Sequence, residues 1–153
     1  MILRRDDGYE LSDDPERVDL ELTWSFLREA YWSPNVPREI VERALAGSLT
    51  LGLYAPDGAQ AGLVRAVTDS ATFAWIADAF VVAEHRGRGL GVWMVESLLD
   101  HPDLQGLRQV LLATRDAHGL YERFGFEPVT DRLMVRATSA AELYGTPAEK
   151  LSE

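Results

Sequence analysis

The hydrophobic pattern changes its period at a cluster of glycines near the middle of the chain. From Phe73 to Val82 apolar residues follow one another with a single carboxylate, Asp78, among them, which predicts a buried strand. Gly87, Gly89 and Gly91 interrupt the run. Beyond them Gly91, Met94, Val95 and Leu98 recur at helical spacing, so a helix is predicted from Leu90 to Asp100, ahead of Pro102. Upstream, Tyr9-Glu10-Leu11 reads as a short strand. Leu20, Trp24, Leu27 and Tyr31 lie on one helical face, with Asp19 as N-cap. Val18, Leu20, Leu22 and Trp24 also alternate, but Phe26 and Leu27 break the alternation, so the segment Leu20–Ala30 is read as helix. Pro34, Asn35 and Pro37 end it. Ile40, Val41, Ala44 and Leu45 give a second helix one apolar face, and Gly47 stops it. Leu49–Tyr54 and Ala61–Val67 are predicted strands, separated by the turn Pro56-Asp57-Gly58. Thr68-Asp69-Ser70 turns the chain into the central strand.

Past the glycine loop, Leu107–Thr114 predicts a strand and Ala117–Phe124 a helix capped by Asp116 and stopped by Gly125. A last strand is expected within Pro128–Arg136, around Leu133-Met134-Val135. Residues 137–153 read as a polar tail on a single domain spanning 1–153. The order is one strand, two helices, three strands, then helix, strand, helix, strand. It implies an α/β fold with a mixed central β-sheet flanked by helices: an antiparallel meander followed by two crossovers.

A strand, a glycine-rich turn and a helix N-terminus form an anion site, because backbone N–H groups converge where the helix dipole is positive. The Rossmann spacing G-x-G-x-x-G fails: its last position is Val92 counted from Gly87 and Met94 counted from Gly89. A P-loop needs a Gly-Lys-Ser/Thr end, and the only lysine is Lys150. Arg86-Gly87-Arg88-Gly89-Leu90-Gly91 instead resembles the R/Q-x-x-G-x-G/A signature of the GNAT family of N-acetyltransferases. The preceding Val81-Val82-Ala83-Glu84-His85 is similar to that family's lead-in, except that Ala83 stands where proline is usual. Downstream, Leu120-Tyr121-Glu122-Arg123-Phe124-Gly125-Phe126 resembles the family's L-Y-x-x-x-G-F helix. The resemblance covers roughly Leu49 to Val135.

Composition narrows the partners. The net charge of −10 argues against a general nucleic-acid binder, since phosphate contacts need a basic face. His85, Arg86 and Arg88 concentrate positive charge at the loop. The acidic remainder favours a cationic second substrate. With no cysteine there is no disulfide, Cys-based zinc site or thiol nucleophile. His85, His101 and His118 show no ligand spacing, so no metal is expected. No apolar run reaches the ~18–20 residues of a membrane span, and the charged N-terminus does not read as a signal peptide. A cytoplasmic protein is expected, with monomer and homodimer both open.

The resemblance implies acetyl-CoA as co-substrate, its diphosphate held by the N–H groups from Arg86 through Gly87, Arg88, Gly89 and Leu90 to Gly91. It also implies that the pantetheine arm lies along the edge of Ala79-Phe80-Val81, with the Val81 N–H facing the thioester oxygen. Tyr121 matches the family's tyrosine and is expected to protonate or hold the leaving thiolate. Asp78, inside an apolar strand, is read either as the proton acceptor for the amine or as the partner of an arginine such as Arg65. Strand alternation sets Asp78 and Val81 on opposite faces unless a bulge intervenes. Tyr31, Trp32 and Trp75 are expected to wall the acceptor side; Asp116 is read chiefly as a helix cap. The activity implied is N-acetylation of a primary amine on a small molecule or peptide, by direct attack in a ternary complex. The alternatives are a non-catalytic acyl-CoA-binding sensor, which needs no phenol, and an acyltransferase using a longer acyl-CoA.

Overall fold

The computed structural model describes residues 1–146. Its order is β1 (Ile2–Arg4), β2 (Glu10–Ser12), α1 (Leu20–Leu27), α2 (Arg38–Ala46), β3 (Leu49–Tyr54), β4 (Gln60–Thr68), β5 (Phe73–Val81), α3 (Leu90–Leu99), β6 (Gln109–Leu111), α4 (His118–Glu122) and α5 (Ala140–Tyr144). The six strands lie side by side in chain order, antiparallel from β1 to β5, with β6 parallel to β5. The mixed sheet flanked by helices is the one the periodicity implied. β1 was not legible in the sequence: three residues carry no period, and the strand exists because Leu3 pairs with Leu11 across a hairpin.

Each face of the sheet carries its own core. On one, Leu90, Met94 and Leu98 of α3 pack on Leu51, Leu53, Val64, Ala74 and Ile76, all buried. On the other, Leu27 and Val41 of the first two helices pack with Val36, Leu63 and Phe80, and Phe26 stacks on Phe80 with ring centroids 4.0 Å apart. α1 is fixed at its start by the expected cap: the Asp19 carboxylate accepts the Leu22 N–H at 3.0 Å. The buried Gln60 joins this turn to β4, accepting the Asp19 N–H at 2.7 Å and donating to Thr23 Oγ1 at 2.9 Å.

One expectation fails near the C-terminus. No strand forms in Pro128–Arg136, and Leu133, Met134 and Val135 are exposed, Met134 by 95%. Strand propensity is not enough without a partner, and among the described residues none pairs with this segment. Within the expected tail, Ala140–Tyr144 is helical, capped by Ser139, and Asn35 donates to the Tyr144 carbonyl at 2.6 Å. Residues 147–153 of that tail, Lys150 included, lie outside the described residues.

Candidate active site

β5 is where the sheet comes apart. Its pairing with β6 covers only Phe73, Ala74 and Trp75, opposite Gln109, Val110 and Leu111. Beyond Trp75 the two strands diverge, and a cleft of about 260 Å³ opens between them. Tyr31, Trp32, Trp75, Asp78, Ala79, Asp116 and Tyr121 all line it.

The register of β5 on β4 shifts beside this opening. Arg65 faces Ala77 and Leu63 faces Phe80, so three steps along β5 match two along β4. The extra residue is a β-bulge, and Asp78 sits in it at φ +56°. Left-handed backbone disfavours most side chains, and Asp and Asn tolerate it best after glycine. The bulge re-phases the strand. Ala74 and Ile76 belong to the α3 core, whereas Phe80 belongs to the opposite one. Phe80 is therefore 5% exposed, stacked on Phe26 and away from the cleft.

The same phasing decides which backbone groups face the opening. The Val82 N–H is spent on the Ala61 carbonyl at 2.8 Å. Bonding sides alternate along a strand, so Phe80 turns its polar groups toward β4, and Ala79 and Val81 turn theirs to the open side. Of the expected edge, Ala79 and Val81 present donors and Phe80 does not. Gly62 of β4 is the close-approach point beneath: a Cβ there would lie 2.4 Å from the Phe80 carbonyl oxygen.

Both oxygens of Asp78 are engaged. Arg65 Nε donates to one at 2.6 Å and Trp32 Nε1 to the other at 2.9 Å, while Arg65 also reaches Ser48 Oγ at 3.0 Å. The Arg65 and Asp78 side chains are 16% and 12% exposed. The bulge that a direct role for Asp78 required is present, and it delivers Asp78 to Arg65.

At its far end β5 runs into the glycine loop. Gly87 and Gly89 have φ of +81° and +72°. α3 starts after Gly89 with no side-chain cap, and its first backbone bond runs from the Trp93 N–H to the Gly89 carbonyl. Nothing lies within 4 Å of a Cβ built on Gly87, Gly89 or Gly91, so the three positions border open space. The Arg86 N–H, by contrast, bonds the Ala83 carbonyl at 3.3 Å, and its Nε donates to the Val81 carbonyl at 2.9 Å. Among the described residues the free donors thus begin at Gly87 and extend to Val92, one residue later at each end than the motif suggested. This cradle of unspent N–H groups at a helix N-terminus fits a diphosphate.

Tyr121 is 9% exposed and lines the cleft, edge-on to Phe126. Among the described residues its hydroxyl enters no hydrogen bond. Burial, and secondarily the neighbouring Tyr31, pushes its pKa above the usual phenol value. Its helix has no side-chain cap: Asp116 does not bond its first N–H groups, and Thr114 Oγ1 accepts the N–H of Ala117, the residue before the helix, at 3.0 Å. Asp116 is left as an exposed carboxylate at the cleft, 3.9 Å from Arg115.

Three contributors escaped the sequence reading. Arg5, at the tip of the first hairpin, donates to the Arg88 carbonyl at 3.0 Å and lies over the Trp93 ring. Arg115 stacks on Tyr31 at 3.7 Å. Tyr9 hydrogen-bonds His85 Nδ1 at 2.6 Å, tying the start of the loop to β2. None carries a local signal, because each contact joins segments far apart in sequence.

The acetyltransferase (GNAT) domain family matches residues 50–128, half of the chain and the part that builds β3 to α4. The chain belongs to the GNAT acetyltransferase family. A structure from Xanthomonas campestris pv. campestris, described as a candidate GNAT-family acetyltransferase, is 41% identical; the match covers 90% of this chain and 97% of that one, with a TM-score of 0.85. A Gibberella zeae protein described as a candidate acetyltransferase is 28% identical over 164 residues, 92% of each chain. A Clostridium acetobutylicum structure that contains acetyl-CoA shares the fold at a TM-score of 0.63 and 13% identity, over 89% of this chain and 96% of that one. The GNAT family uses acetyl-CoA as its acyl donor.

Proposed function

We propose that this protein transfers the acetyl group of acetyl-CoA to the primary amine of a small cationic molecule, by direct attack within a ternary complex. The observation that carries it is the Tyr121 hydroxyl, without a hydrogen-bond partner among the described residues and opening on an aromatic cleft that Ala79, with its outward N–H, also lines. The N–H groups of Gly87 to Val92 hold the diphosphate, and Ala79 and Val81 pair with the amide-bearing arm as an added strand would. Acetyl-CoA supplies the activated acetyl group and a thiolate leaving group. The Val81 N–H is a donor for charge developing on the carbonyl oxygen. Tyr121 Oη holds its proton through neutral pH, as its raised pKa requires, and gives it to the departing sulfur.

The acceptor amine must first lose its own proton, since at pH 7 only about one lysine-like amine in 2,500 is neutral. Asp116 is the cleft carboxylate with open access, whereas Asp78 is held by Arg65 and Trp32. Tyr31 already takes one cation, Arg115, on its ring, and an ammonium group suits the same kind of surface. Thiol release from acetyl-CoA across a panel of polyamines, aminoglycosides, amino acids, aryl amines and peptides tests this. Turnover is expected with the polycationic amines, and Asp116→Asn should raise their KM with acetyl-CoA affinity unchanged. A panel in which only neutral or anionic acceptors react would exclude the cationic acceptor.

A further inference from the structure

Asp78 combines three properties that need a common explanation. It is a non-glycine residue in left-handed backbone, it is a largely buried carboxylate, and it occupies the bulge in the part of β5 beyond its pairing with β6. We propose that the Arg65–Asp78 ion pair, completed by Trp32, is a latch that holds the β5 bulge in place and so positions the backbone donors of Ala79 and Val81 before any ligand arrives. Asp78 is on this account a positioning residue.

A bulge is one unpaired residue in a ladder, and it can migrate along the strand or be ironed out unless something pins it. A shift of one residue would exchange which backbone groups face the cleft: Phe80 would present its donor there and Ala79 and Val81 would turn inward. Here the pin is a side chain from the opposing strand. Arg65 faces Ala77, the residue next to the bulge, and its Nε reaches Asp78 at 2.6 Å. Ser48, just before β3, accepts from the same guanidinium at 3.0 Å and fixes its direction. Trp32 binds the second carboxylate oxygen from the connection between α1 and α2. The latch therefore also ties the aromatic wall of the cleft to the bulge, which couples the two sides of the site.

The latch rests on the acetyl-CoA reading only for its ligand readout, so the test has two measurements. The first is amide hydrogen exchange at Phe80 and Val82, whose N–H groups pair with β4 beside the bulge. The second is the Kd for CoA by calorimetry. Arg65→Met removes the pin and leaves a largely buried carboxylate held by Trp32 alone. Exchange at the two amides is expected to rise tenfold or more, and CoA affinity to fall about tenfold. Asp78→Gly takes φ +56° without a steric penalty and leaves no carboxylate to satisfy. With the pin gone it is expected to raise exchange at the two amides tenfold or more and to lower CoA affinity about tenfold, as Arg65→Met does. The double variant Arg65→Met/Asp78→Gly should show no more than the larger single effect, because either change alone removes the pin. The latch is overturned if Arg65→Met or Asp78→Gly leaves exchange at Phe80 and Val82 unchanged, or if the effects of the two substitutions add in the double variant. Failure of CoA to bind the parent protein would remove the ligand reading and leave the exchange result standing.

Discussion

Gly91→Val is expected to weaken CoA binding at least 100-fold, about 2.7 kcal/mol, while leaving the melting temperature within a degree or two. Gly91 lies in the first turn of α3, where N–H groups have no intrahelical acceptor. A Cβ at this position would meet no protein atom within 4 Å, so a valine fits the folded chain. In a helix valine is better than glycine by a few tenths of a kcal/mol. The substitution thus harms only what approaches from outside, and the diphosphate must approach the backbone closely to collect its hydrogen bonds. Gly89→Val makes an informative partner. Gly89 has φ +72°, so a side chain there costs about 1–2 kcal/mol of stability. That variant should lose affinity and melting temperature together. Calorimetry showing the parent's affinity in both variants would take the loop out of the site.

Tyr121→Phe should lower kcat by roughly 10- to 10³-fold, the range of general-acid effects, with acetyl-CoA affinity within twofold of the parent. The ring keeps its edge-on contact with Phe126, and among the described residues the hydroxyl has no partner to lose, so the fold should be unaffected. The pH dependence follows from the direction of the shift. Burial raises the phenol's pKa above its ordinary ~10. Tyr121 therefore keeps its proton through the neutral range, and the fall in kcat caused by its ionisation lies above pH ~10. In the Phe variant that alkaline limb should vanish, with a low kcat up to the highest pH the fold survives. Single-turnover measurement isolates the chemical step. A variant with full single-turnover rate would make the tyrosine a packing residue.

The parts of the site that could be read from the chain are those whose physics is local. The glycine loop is legible because positive φ and bare N–H groups at Gly87 and Gly89 need no distant partner. α3 follows from its 3.6-residue period, and the cap at Asp19 from a bond three residues long. Tyr121 is marked by a short helix motif. Even here local reading reaches its limit at the edges. Asp116 is a good capping residue by type, yet α4 starts after Ala117 without a side-chain cap and Asp116 stays exposed. Arg86 carries the motif's charge, yet its own N–H and Nε are spent on Ala83 and Val81.

What only the tertiary structure decided is register. Whether Asp78 meets an amine or an arginine depends on one extra residue in β5 relative to β4, and neither strand's sequence encodes the other's phase. That single residue turns Phe80 into the core beside Phe26, turns Ala79 and Val81 toward the cleft, and gives Asp78 to Arg65. The strand expected around Leu133-Met134-Val135 shows the same dependence from the other side. Its sequence has the propensity, but a ladder is a property of two segments, and the segment found no partner among the described residues. Local dihedral preference and periodicity are written into consecutive residues. Pairing, bulges and buried ion pairs are chosen by residues brought together from different parts of the chain, as Trp32, Ser48, Arg65 and Asp78 are here.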